Sequence, residues 1–131
     1  MNLIVETSIA AWLRSLPEFE GVAIHAGQSD EEIPGDQPVL IAACEQDELV
    51  GEGLHRITGR LIISSPGHLE VETHTQLVSS LREIIYGISS LSDHMPESAH
   101  LAGAVLNSFS ESQTDGRRFA TAEIILGVAE I

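Results

Sequence analysis

The stretch GLHRITGRLIISSPGHLEVETHTQLVSSLREIIYGISSL, residues 53–91, decides the fold of this chain. Its first part alternates with a period of two, which predicts a half-buried strand. One face of that strand carries Ile57, Gly59, Leu61 and Ile63, and the other carries Thr58, Arg60, Ile62 and Ser64. The turn 64–67 is predicted to end the strand, because Pro66 has no N–H to donate to a neighbouring strand.

A long amphipathic helix is predicted to follow this turn. Pro66 suits its first turn, and Ser65 is placed as the N-cap. Glu70 and Glu72 suit the positive end of the helix dipole. Apolar residues then recur at intervals of three and four as one stripe, namely Leu77, Leu81, Ile84, Ile85, Ile88 and Leu91. A strand that feeds such a helix indicates a helix packed back onto a sheet.

Length and composition predict a single domain over residues 1–131 with an aliphatic core. Of the 131 residues, 43% are hydrophobic but only 4% are aromatic. The single cysteine, Cys44, lies in an apolar run, so we expect a buried, inert thiol and no disulfide. The N-terminus lacks a basic leader segment, and no apolar run approaches the roughly 18 residues of a membrane helix. We therefore expect a protein that is made in the cytoplasm, or assembled from there.

The charge balance is strongly acidic. Twenty Asp and Glu residues stand against six arginines, and the formal net charge is −14. Such a surface repels phosphate, so it argues against sequence-independent nucleic-acid binding and against anionic membranes. Two interpretations stay open: an acidic surface that keeps the protein soluble, or one that lets DNA pass without gripping it.

The rest of the chain predicts one more helix and four more strands. They are placed at residues 3–16 for the helix, which Pro17 ends, and at 22–26, 38–44, 104–109 and 117–128 for the strands. The pair Asp115–Gly116 predicts a hairpin between the last two strands. Residues 27–36 are predicted as a loop, 45–52 as a connection or long hairpin, and 92–100 as irregular.

This element order, α-β-β-β-α-β-β, predicts an α+β fold. We expect a mostly antiparallel mixed sheet, with one long helix and an N-terminal helix packed on it. A doubly wound nucleotide-binding fold would need a regular alternation of single strands and helices, which this order lacks.

The densest group of candidate metal ligands is the segment from His68 to His74. Glu70 and His74 are four residues apart and could share one helical face, with Glu72 beside them and His55 as a further ligand. The alternative is a solvated helix start whose glutamates face the helix dipole. We adopt this second interpretation and predict neither a metal nor a cofactor.

Motifs for catalysis are missing from the sequence. It has no GxxxxGK[ST] phosphate loop, no GxGxxG, no GxSxG and no CxxC. Neighbouring carboxylates are expected by chance in a chain with twenty of them. We therefore predict that the protein is not an enzyme and that it has no catalytic residues.

The arginines are the more informative charges. Arg56 and Arg60 project from the same face of one strand, and two more arginines open the last strand. Their partners could be internal carboxylates, or acidic residues of a neighbouring copy in head-to-tail association. The candidate subunit-interface charges are Arg56, Arg60, Arg117, Arg118, Glu45, Asp47, Glu48 and Glu52.

One pattern runs through nearly the whole chain. It consists of the helix 3–16, the strand PVLIAAC (38–44) with its acidic connection, the strand RITGRLIIS (56–64), a Pro/Gly turn, a helix with the start His74-Thr75-Gln76-Leu77, and the closing strand RRFATAEIILGV (117–128). This pattern resembles the tail-terminator and tail-completion proteins of long-tailed phages, a group that includes minor tail and head-tail joining proteins. The likeness is one of layout and contains no diagnostic motif.

The resemblance implies a non-enzymatic ring, usually a hexamer, that terminates or completes the tail tube and joins it to the neck. Its partners would be further copies of the chain, the tail tube protein and neck or connector proteins. DNA would pass through without specific binding, no membrane would be involved, and the protein would reside in the virion after assembly in the host cytoplasm. Two alternatives stay open. One is a small metal-binding or metal-assisted enzyme module at residues 68–74, and the other is an acidic adaptor domain for a basic partner.

Overall fold

The described residues form a five-stranded sheet with two helices packed on one of its faces. The computed structural model describes residues 1–27, 36–114 and 116–131. The elements are α1 (Asn2–Ser15), β1 (Ala23–Ala26), β2 (Val39–Gly51), β3 (Leu54–Pro66), α2 (Val71–Ile85), β4 (Ala99–Thr114) and β5 (Arg117–Glu130). Short 3-10 helices at Pro17–Phe19 and Ile88–His94 precede β1 and β4. This is an α+β fold with the predicted element order.

The strands lie in the spatial order β1-β2-β3-β5-β4. β1 pairs with β2 in parallel, and the other three pairs are antiparallel. The sheet is therefore mixed but mostly antiparallel, as predicted. β2 and β3 form the consecutive antiparallel pair expected from the sequence, and their turn contains Gly53 with a φ of 66°. That left-handed conformation suits glycine because it has no Cβ.

One face of the sheet and the apolar faces of both helices share a single core. Every second residue of β3 and β5 points into it, which confirms the period of two predicted for residues 57–63. The fully buried side chains of this core include Ile9, Trp12 and Leu13 of α1, Leu40 of β2, Ile57 and Leu61 of β3, Leu81 of α2, and Ile124 and Leu126 of β5. Aliphatic residues dominate it, as the composition requires.

The predicted start of α2 is wrong. β3 continues through Pro66, and Ser65 is buried inside the strand instead of capping a helix. The helix begins at Val71 with Glu70 at the N-cap position and no side-chain cap. The physical reason is that β3 is an interior strand, paired with β5 as far as Pro66 opposite Arg117. Pro66 has no N–H to donate, but as the last paired residue of β3 it leaves the hydrogen bonds of the preceding residues intact.

The predicted end of α2 is also too late. The helix ends at Ile85, and Gly87 leads into the 3-10 helix Ile88–His94. Leu91 still reaches the core from that segment. The prediction that the apolar stripe reaches the core is therefore confirmed for Leu91, but the predicted length of the helix is wrong.

Two strands are longer than their side chains indicate. β2 continues through the acidic residues to Gly51, and β4 begins at Ala99, before the predicted position 104. Backbone hydrogen bonds to a neighbouring strand stabilise both extensions. The alternation of side chains in the sequence does not show such pairing. Most of the predicted loop 27–36, and Asp115 of the predicted hairpin turn, lie outside the described residues. Thr114 pairs with Arg117, as a two-residue hairpin turn requires.

Across the described parts of the chain, we find no helix long and apolar enough to cross a membrane.

Candidate functional site

The face of the sheet opposite the helices has no helix packed on it within the described residues. We call it the open face, and its central positions are Ile41, Thr58, Arg60, Ile62, Thr121, Glu123 and Ile125. These side chains are partly exposed, while those of the opposite face are buried. The open face is thus a surface with an apolar centre and a few charges.

Cross-strand ion pairs occupy the charged part of the open face. Arg60 lies between Glu45, at 3.3 Å, and Glu123, at 3.6 Å. Asn107 donates to the Glu123 carboxylate at 2.6 Å. Strand register explains the arrangement, because Arg60 lies directly opposite Glu123. Exposed pairs of this kind contribute at most about 1 kcal/mol each.

The neighbouring pair completes this internal pairing. Arg56 donates to Glu48 at 2.5 Å, and the two residues lie opposite each other on β3 and β2. Four of the candidate interface charges therefore pair with one another within the chain, namely Arg56 with Glu48 and Arg60 with Glu45. This is the internal alternative that the sequence left open for these residues.

A second cluster joins the chain ends to the β2–β3 hairpin. The His55 ring lies between two carboxylates, with Nδ1 2.6 Å from Asp47 and Nε2 3.1 Å from Glu130. The amino group of Met1 lies 3.8 Å from the other oxygen of Asp47. The hydrogen bonds to Asp47 and Glu130 raise the pKa of His55 above its usual 6.5. The cluster is a charge clamp between β2, β3 and β5.

The candidate metal ligands do not converge. His68, Glu70 and Glu72 are exposed, whereas His74 is buried and faces Ser65. His55 is engaged by its own carboxylates. In the portion of the chain that the structure describes, no group of three or more His, Cys, Asp or Glu side chains could hold a metal ion.

The two arginines at the start of β5 anchor opposite faces of the sheet. Arg117 donates from Nε to the Ser64 hydroxyl at 2.6 Å, and from Nη2 to the Ser64 carbonyl at 3.1 Å. Arg118 donates from Nη2 to the carbonyl oxygens of Leu69, at 2.9 Å, and Gly67, at 3.2 Å. Both side chains therefore bind backbone groups, and Arg118 holds the turn between β3 and α2.

An open cleft lies between the start of α2, the last residues of β4 and the first residues of β5. It is lined by Val71, His74, Thr75, Glu111, Ser112, Gln113, Arg118 and Phe119. His74 is 7% exposed, and its Nδ1 lies 2.7 Å from the Ser65 hydroxyl oxygen. Burial, and then the nearby Arg118 charge, lower the pKa of this histidine. We call this feature the His74–Arg118 cleft.

The outer edge of the sheet at β4 is a second unusual surface. β4 has 16 residues and, among the described strands, pairs only with β5. Val105 is 60% exposed and Leu106 is 45% exposed. Its only carboxylate is Glu111, and it has no arginine or proline. Long edge strands with few charges are templates for pairing with another chain.

The other sheet edge is protected. β1 has only four residues, and the carbonyl of Ile24 accepts a hydrogen bond from Arg14 at 2.8 Å. A short strand with an occupied backbone group offers little for another strand to pair with. The two edges therefore differ in their capacity to bind a partner.

Sequence reasoning missed three residues of these clusters: Glu123, Asn107 and Glu130. Their roles depend on which strands are neighbours and in what register. β3 pairs with β5, although α2 and β4 lie between these two strands in the sequence. The only available signal was the even spacing of Arg56 and Arg60, which showed their shared face but not their partners.

No protein-family model matches the chain, and no curated protein matches it in sequence. Solved structures do match it. One of them aligns with 96% of this chain and 89% of that chain, at 14% sequence identity and a TM-score of 0.44. A likeness at this level carries no argument about function.

Proposed function

We propose that the chain is a structural protein of a phage tail or head-tail junction. It self-associates into a ring that terminates or completes the tail tube and joins it to the neck. The observation that carries this proposal is the long, charge-poor edge of β4 beside an open sheet face, in a chain whose net charge is −14. Copies that repel each other over most of their surface can associate only where the charge is low or mixed.

Two further features support the proposal. The first is the element order, which agrees with the layout that resembles the tail-terminator group. The second is the acidity, because a ring whose opening is lined with carboxylates does not retain a polyanion such as DNA. Neither feature requires a catalytic residue, so the proposed role is assembly.

Negative-stain electron microscopy of the purified protein tests this proposal directly. We expect ring-shaped particles either from the protein alone or after mixing with its tail tube protein, where rings should sit at tube ends. A protein that stays monomeric alone, and that forms no ring with the tube protein, would refute the proposal. A variant with Val105→Lys on β4 tests the edge itself. It should reduce ring formation, because it adds charge to the exposed edge.

A further inference from the structure

We propose that copies of this chain join edge to edge, so that one continuous sheet runs from each copy into the next. In this contact, residues 45–51 of β2 in one copy pair with residues 99–106 of β4 in its neighbour, in antiparallel orientation. The contact depends on the self-association proposed above and specifies the two strands that form it.

A second unpaired edge lies on the side of the sheet opposite β4. β1 pairs only with residues 39–42 of β2, whereas β2 itself continues to Gly51. Within the described chain, residues 45–51 therefore have no strand beside them on that side, and all of them are exposed. We call residues 45–51 the outer β2 segment. The short β1 protects only the first part of this edge, so the outer β2 segment remains a template for pairing.

The two unpaired edges lie at the same level across the sheet. Gln46 of β2 lies opposite Thr58 of β3, and Thr58 lies opposite Ile125 of β5. Ile125 in turn lies opposite Val105 of β4. A second copy, rotated about an axis roughly along the strands, therefore brings its outer β2 segment beside residues 99–106 without a shift along the strands.

Strand direction agrees with this contact. β2 is antiparallel to β3, β3 to β5 and β5 to β4, so β4 is antiparallel to β2 within one copy. Rotation about an axis along the strands preserves these directions, so β4 is also antiparallel to β2 of the next copy. Such a contact joins two different surfaces and generates a ring when the rotation closes. Pairing of β4 with β4 of a second copy would instead close a twofold dimer.

The two edges are compatible in charge. Residues 99–106 contain no Asp, Glu, Lys or Arg. In the outer β2 segment, Glu45 and Glu48 pair with arginines of β3, and Asp47 pairs with His55. The contact therefore places no carboxylates of two copies opposite each other, although the chain has a net charge of −14.

Both edges also carry neighbouring apolar side chains that are exposed. In the outer β2 segment, Leu49 is 64% exposed and Val50 is 48% exposed. Val105 and Leu106 are the corresponding pair on β4. Edge-to-edge pairing removes part of this apolar surface from water and also completes the backbone hydrogen bonds of both strands.

Two lysine substitutions, one at each edge, test the contact. Leu49→Lys and Val105→Lys should each weaken self-association at least about tenfold in sedimentation velocity, because each adds charge to a paired edge. Val71→Lys is the control for the first variant, since Val71 is similarly exposed but lies on α2. Ser110→Lys is the control for the second variant, since Ser110 is an exposed residue of β4 outside the contact. Neither control should weaken association.

A mixture of the two edge variants distinguishes the proposed contact from the twofold alternative. The intact β4 of Leu49→Lys copies should pair with the intact β2 of Val105→Lys copies, giving heterodimers that do not extend into rings. If only Val105→Lys weakens association, β4 pairs with β4 and the proposed contact is wrong. If neither edge variant weakens the association of a chain that forms rings, the contact is also wrong although the ring proposal stands.

Cross-linking covers the case in which association of the free protein is weak. Gln46→Cys and Val105→Cys copies, mixed under oxidising conditions, should form the mixed disulfide in excess over a mixture of Gln46→Cys with Ser110→Cys. No excess over that control, or an excess of Val105→Cys homodimers instead, would overturn the proposed contact. Absence of rings from the unmodified protein, even with its tube protein, would refute the proposed function whatever the cross-links show.

Discussion

The Nδ1 atom of His74 lies 2.7 Å from the hydroxyl oxygen of Ser65, and both residues are buried. This hydrogen bond joins the first turns of α2 to the last part of β3. The sequence had placed both residues at a solvated helix start, one as a cap and one as a candidate metal ligand. Their true role is to satisfy each other in the interior, beside the His74–Arg118 cleft.

Replacing Ser65 with alanine should destabilise the protein by about 1–3 kcal/mol, because a buried imidazole nitrogen then has no partner. Urea denaturation monitored by fluorescence of Trp12, the single tryptophan and a buried one, would measure the change. Ser79→Ala, at an exposed site on the same helix, is the matched control and should change stability by less than about 0.5 kcal/mol. Equal effects of both substitutions would show that the hydrogen bond is unimportant.

The His55 clamp should make stability depend on pH. Its pKa is raised in the folded protein by Asp47 and then by Glu130. The contribution is therefore fully present below pH 6.5, the ordinary value, and is lost as the pH rises through the raised folded value. His55→Gln should accordingly cost more stability at pH 6 than at pH 9, in urea titrations at both values.

A control for this prediction is His68→Gln, since His68 is exposed in the turn before α2. This substitution should change stability by less than about 0.5 kcal/mol in either titration, because the side chain is exposed. NMR titration of the His55 ring would provide an independent check. A pKa for His55 at or below 6.5 would contradict the clamp.

Cys44 should react very slowly with alkylating reagents in the folded protein. Burial, and then the charges of Glu6 and Asp47, raise the pKa of its thiol to about 12. Because the thiolate is the reactive form, iodoacetamide at pH 8 should modify the native chain far more slowly than the chain in urea. Comparable rates in the two states, followed by mass spectrometry, would show that the thiol is accessible and ionised.

The guanidinium of Arg82 lies 4.3 Å from the centre of the Phe109 ring and links α2 to β4. Arg82→Gln should cost about 0.5–1 kcal/mol, the range for an exposed cation–π contact. Glu83→Gln, at the next and exposed position of the helix, is its control. If the two variants have the same stability, the contact contributes nothing. A loss of stability specific to Arg82 would show that its contact with Phe109 stabilises β4, the strand proposed for self-association, against α2.

The ion pairs that depend on strand register could not be predicted from the sequence. The sequence placed Arg60 on one face of β3. Its partner Glu123 is on β5, which lies beside β3 in the sheet although α2 and β4 separate the two strands in the chain. The same holds for His55 and Glu130, which are far apart in the chain. Charge pairing between distant strands depends on strand order and register, and side-chain periodicity contains neither.

The sequence by itself determined the element order, the α+β class, the buried face of β3 and the aliphatic core. These follow from local periodicity and from residue chemistry that acts over a few positions. The tertiary structure decided where β3 ends, how far β2 and β4 extend, and what Ser65 and His74 do. Backbone pairing with β5 continues through Ser65 and Pro66, because an interior strand gains more from a completed ladder than from a helix cap. The strand and helix of residues 53–91 were thus recognisable from the sequence, and only the packing of that helix beside β4 and β5 revealed the His74–Arg118 cleft.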